Sequence, residues 1–96
     1  MILKIDRTNL QPEVIALNAL AFIAEEHERL GDFMAETGLD GSELRERAGD
    51  PLMLGAVLDH LLNHETLLLA FAEAGKCRPE DVVRARQAFP GASHDS

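Results

Sequence analysis

From Asp50 to Gly75 the chain reads DPLMLGAVLDHLLNHETLLLAFAEAG, its densest run of leucines. Leu54, Val57, Leu58 and Leu61 recur at i, i+3, i+4 and i+7, the spacing of one buried helix face. Leu67, Leu68, Phe71 and Ala72 repeat the pattern after a polar break at Asn63-His64-Glu65. Punctuation supports two helices. Asp50 is a good N-cap, and Pro51 suits the first helical position because its missing N–H costs nothing there. Asn63 is placed to cap the second helix, and Gly75 to close it in a left-handed conformation. Asp59, His60 and Asn63 fall off the first stripe and are expected to face water. Two helices with so short a link must pack on each other.

No segment alternates with period two, and β-branched residues are few, so strands are not expected. With Trp and Tyr absent and only four Phe, the core must be aliphatic. The 96 residues make one domain. The fold class expected is all-α, a compact array of about six helices. Residues 1–9 read as an N-terminal arm, 10–91 as a single helical domain, and 92–96 as a mobile tail.

Four further helices frame the central pair. The first runs from about Leu10 or Pro12 to Glu26 and is apolar at almost every position from Val14 to Ala24. A helix with so little polar face is buried on most sides. Either it is central, or part of it meets another subunit. The second spans Glu28 to Thr37, with Leu30, Phe33 and Met34 inward, and Gly38 ends it. Asp40 caps a short third helix, Gly41 to Ala48, and Glu43 stands where a capping box needs an acid. The last begins at Pro79, with Val82, Val83 and Phe89 as core residues. Its acids, Glu80 and Asp81, come first and its bases, Arg84 and Arg86, last, as the helix dipole favours.

Residues 16–48 and 54–86 align without a gap. Leu20 then meets Leu58, Ile23 meets Leu61, Leu30 meets Leu68, Phe33 meets Phe71 and Leu44 meets Val82. The match rests on apolar spacing, which any two amphipathic helices share. Two similar three-helix halves are one reading and chance is the other.

The formal charge of −8 repels phosphate backbones and anionic lipid. A helix-turn-helix, nucleic-acid-binding reading of residues 33–48, or of 71–87 with its Lys76, Arg78, Arg84 and Arg86, therefore stands as an alternative only. Cys77 is the single cysteine, so no intrachain disulfide forms and a cytoplasmic setting fits. The start does not resemble a signal peptide, and no apolar run reaches the ~20 residues of a membrane span.

His60 and His64 lie four apart and suggest a metal site. However, HLLNH lacks the Glu of the zinc-protease pattern, and the helix break at Asn63 should separate the imidazoles. Cys77 with His27, His60 or His64 forms no recognisable nucleophile–base signature. Cys77 better fits the half-buried loop position that Leu39 takes in the first half. The residues thus assign no catalytic, cofactor-binding or metal-binding role. They point to a non-enzymatic, cytoplasmic interaction module that self-associates as a homodimer through apolar helix surface, Phe22 being an exposed member of that stripe. The alternatives are a nucleic-acid binder, and a small metalloprotein or enzyme using His60 and His64.

The stretch Val14 to Gly91 resembles a known group. The TGLD turn at Thr37 to Asp40, the pair Asp50-Pro51 and the closing RARQAFPG at Arg84 to Gly91 are similar to small alphaproteobacterial proteins catalogued as domain of unknown function 3572. Lys76-Cys77-Arg78 departs from the second Gly-Leu-Asp-like turn that the resemblance implies. It implies no activity and no catalytic residues.

Overall fold

The computed structural model describes residues 11–91. Among them six helices follow in order: α1 (Pro12–Ala24), α2 (His27–Thr37), α3 (Gly41–Glu46), α4 (Pro51–Leu62), α5 (Glu65–Gly75) and α6 (Pro79–Arg86). The fold is all-α. The expected arm, the tail and the start at Leu10 lie outside the described residues.

The local chemistry largely sets these boundaries. Asp50 accepts the Leu52 N–H at 3.0 Å, with Pro51 opening α4. Asp40 accepts from the Glu43 N–H at 2.9 Å, and the Glu43 carboxylate accepts from the Asp40 N–H at 3.0 Å, a complete capping box. Gly38 ends α2 with φ 78°. Two caps differ from the expectation. Asn63 is the helical C-cap of α4, and His64 occupies the N-cap of α5 without a side-chain cap. Gly75 stays inside α5 and is buried, so the left-handed position passes to Lys76, at φ 58°.

α1 and α4 form the centre. α1 packs against α2, α4, α5 and α6, and α6 packs against both α1 and α4. The core joins Ile15, Ala19, Phe22 and Ile23 of α1 to Leu54, Val57, Leu58 and Leu61 of α4, with Phe33, Phe71 and Val82 closing it. Of the two readings of α1, the central one holds within the chain. Phe22 is 4% exposed, so it is a core residue and not an exposed member of a surface stripe. Val83 is likewise not core: it is 46% exposed, because Val82 and Ala85 take the inward face of α6.

The repeat is visible in the backbone. Residue 27 corresponds to 65 and residue 37 to 75, so α2 maps onto α5 end for end at a shift of 38. The same shift carries the left-handed residue 38 onto 76. It also carries the Glu43 bond to the Asp40 N–H onto the Asp81 bond to the Arg78 N–H, 2.9 Å long. Phe22 meets Phe71 edge-on with ring centroids 5.6 Å apart, and His60 meets Phe33 edge-on at 5.2 Å. The two pairs interconvert when the halves are exchanged, which is the signature of a pseudo-two-fold axis. The outer helices break it. α6 packs on the centre, whereas the shorter α3 makes no extended contact with α1 or α4.

Candidate functional site

The centre of the site is the junction of α4 and α5. His60 lies in the last turn of α4, and His64 is the N-cap of α5. The break between them does not separate their rings. The chain turns so that the imidazole centroids lie 4.4 Å apart. His60 does not face water either: it is 2% exposed, packed edge-on against Phe33. The reason is that α4 is a central helix, covered on several sides by α1, α2, α5 and α6. A residue off its leucine stripe is still inside the molecule.

A third residue completes the cluster. Glu36, in the last turn of α2, places Oε1 3.0 Å from Nδ1 of His60 and 3.4 Å from Nε2 of His64. The His64 ring turns back onto α4, and its Nδ1 lies 2.8 Å from the His60 carbonyl oxygen. A carbonyl only accepts, so this nitrogen carries the proton and donates. One ligating atom from each of Glu36, His60 and His64 falls within 4.8 Å of the others. Glu36 had no sequence signal. It is 24 positions from His60, and its repeat counterpart is Ala74, so only the tertiary fold unites them.

The cluster stands at one end of a groove of about 370 Å³ between α2 and α5. Arg29 and Asp32 form one wall, Thr66, Leu67 and Ala70 the other, with His60 and His64 at the end. Arg29 is held in place by three contacts. Its guanidinium lies 3.9 Å over the Phe22 ring, donates to the Phe22 carbonyl at 2.9 Å and pairs with Glu26 at 3.5 Å.

The other candidates are not assembled. Cys77 is half-buried against the core, as Leu39 is, and joins no ligand cluster among the described residues. In the helix-turn-helix reading, Arg86 should reach outward. Instead it is buried, donating from Nε to Asp59 Oδ1 at 2.6 Å and from Nη2 to Asp59 Oδ2 at 3.1 Å. Its Nη1 donates to the carbonyls of Phe89, at 3.0 Å, and Pro90, at 3.2 Å. Arg84 pairs with Asp81 at 3.4 Å. Sequence reasoning missed the Arg86–Asp59 pair, although Arg86 and the carbonyls of Phe89 and Pro90 that it meets all belong to the RARQAFPG stretch. Among the described residues, no helix is long and apolar enough to cross a membrane.

Neither a curated protein nor a solved structure matches the chain. A family model matches residues 9–92, nearly the whole chain and every helix described above. The chain therefore belongs to the family described as Protein of unknown function (DUF3572).

Proposed function

We propose that the chain is a non-enzymatic interaction module that pairs with a second copy of itself across the groove between α2 and α5. The observation that carries this reading is the groove itself, an apolar wall facing a wall of both charges. Leu67 and Ala70 supply apolar surface on one wall, and Arg29 and Asp32 stand on the other. α2 and α5 make no extended contact with each other, so the space between them is available to a partner. Leu69, next to Ala70 on α5, is 49% exposed.

A two-fold dimer needs a patch complementary to itself. Arg29 and Asp32 on one wall meet that need, since each can face the other's counterpart across a two-fold axis. Leu69 of each copy then enters the partner's groove and is withdrawn from water. Leu69 is already half-buried, so burying the rest is worth about 1 kcal/mol per copy. The proposed interface thus lies on α5 rather than on α1, whose Phe22 is already covered. A cytoplasmic setting is part of the proposal, since the lone Cys77 needs no oxidising compartment.

The test is Leu69→Glu, at an exposed site where the fold has nothing to lose. Light scattering should give a dimer for the unmodified chain and a folded monomer for the variant. A monomeric unmodified chain, or an unaltered dimer in the variant, overturns the reading.

A further inference from the structure

We propose that Glu36, His60 and His64 form a binding site for one divalent transition-metal ion of the zinc class, independently of any pairing between copies. The first argument is the proton inventory. With Nδ1 of His64 donating to the His60 carbonyl, Nε2 is the ring nitrogen left to ligate an ion. It lies 3.4 Å from Oε1 of Glu36. A divalent ion held between the two would be bound by both. An N–H to a backbone carbonyl behind a ligating imidazole is also the usual means by which a metal-binding histidine is oriented.

The second argument is dimensional. Tetrahedral zinc with bonds of about 2.0–2.1 Å sets its ligand atoms roughly 3.3 Å apart. The two donor separations around Oε1 are 3.0 and 3.4 Å. His64 and Glu36 are both part-exposed, so small rotations close the set around an ion. On binding, Nδ1 of His60 exchanges its proton for the metal, and the proton is carried on Nε2 of the same ring. Two imidazoles and one carboxylate suit zinc, cobalt(II) or nickel rather than magnesium or calcium, which prefer oxygen. Water or a groove ligand takes the remaining position.

The third argument comes from the pseudo-two-fold. At the shift of 38, His60 corresponds to Phe22, His64 to Glu26 and Leu67 to Arg29. The Phe22 corner carries its own cation: Arg29 lies over the ring, pairs with Glu26 and donates to carbonyl 22. In the His60 corner His64 donates to the equivalent carbonyl 60, but Leu67 stands where Arg29 would be. A cation built into one corner is thus replaced by an apolar side chain in the other, beside an added carboxylate.

The full chain, stripped of metal with a chelator, should be titrated with cobalt(II) and then zinc. No side chain of the protein absorbs in the visible range, so any band there comes from the metal. One equivalent of cobalt should give a visible band of low-symmetry, four- or five-coordinate character, and zinc should abolish it. Glu36→Gln and His64→Ala should each weaken binding by more than about tenfold. His60→Phe, which copies the Phe22 corner, should stay folded by circular dichroism and bind at least tenfold more weakly. Absence of a band and of any zinc-dependent rise in the thermal midpoint overturns the proposal, as does binding that survives all three variants. Mass by light scattering, read on the same samples, reports separately on the pairing of copies.

Discussion

His60 shows why a single position is hard to read from a leucine stripe. The stripe at Leu54, Val57, Leu58 and Leu61 was legible and is buried throughout. What it does not reveal is how many neighbours its helix has. On a surface helix, a histidine beside the stripe faces water; on α4 it faces Phe33. Gly55 is a second case. It looks like an ordinary weak point in a helix, where alanine should add about 1 kcal/mol. A Cβ there would meet Cζ and Nη1 of Arg86 at 3.2 Å and the Pro90 carbonyl at 3.3 Å. Arg86 cannot retreat, because Asp59 holds it on two sides and two carbonyls take its Nη1. Overpacking of this kind costs about 1–3 kcal/mol, so it outweighs the propensity gain. Gly55→Ala should therefore lower the urea-unfolding free energy by about 1 kcal/mol; a rise would mean that Arg86 moves freely. Arg86→Ala should cost more, about 2–4 kcal/mol, through lost packing and unpaired carbonyls, in the same measurement.

At the scale of elements, the sequence was legible wherever a cap could be named. Asp40, Asp50 and Gly38 behave as expected. The misplaced elements are those where the repeat overrides local preference. Gly75 resembles a helix stop, yet the register inherited from α2 makes position 76 the left-handed one. Lys76 holds φ 58° against the ordinary preference of a residue with a Cβ, a cost of about 1–2 kcal/mol. Lys76→Gly should consequently stabilise the chain by about 0.5–1 kcal/mol, while Gly38→Ala at the related turn should destabilise it by a similar amount. Thermal unfolding of the pair checks both signs. The ends of α1 and α3 differ from the sequence reading by two residues, the usual fraying at termini.

At the scale of the molecule, the all-α class could be read from spacing, because apolar periodicity is a local property, while the same spacing left the two three-helix halves open. The candidate groove could not be read from it. Its walls come from α2 and α5, and its end from the α4–α5 junction, three places that only the pseudo-two-fold brings together. The long apolar run of α1 pointed to an interface, but α4, α5 and α6 cover its inward face, leaving Leu17 as its exposed large side chain. The exposed apolar groups Leu17, Leu52, Leu69 and Val83 are spread over four helices, and of these Leu69 lies on α5, the helix whose Thr66, Leu67 and Ala70 line the groove. The pairing of copies there is most directly tested by amide NMR spectra of the unmodified chain over a hundred-fold dilution series. The account predicts concentration-dependent shifts gathered on Arg29, Asp32, Thr66, Leu67 and Ala70. Shifts that gather on α3 or α6 instead, or spectra that do not change with concentration, would contradict it.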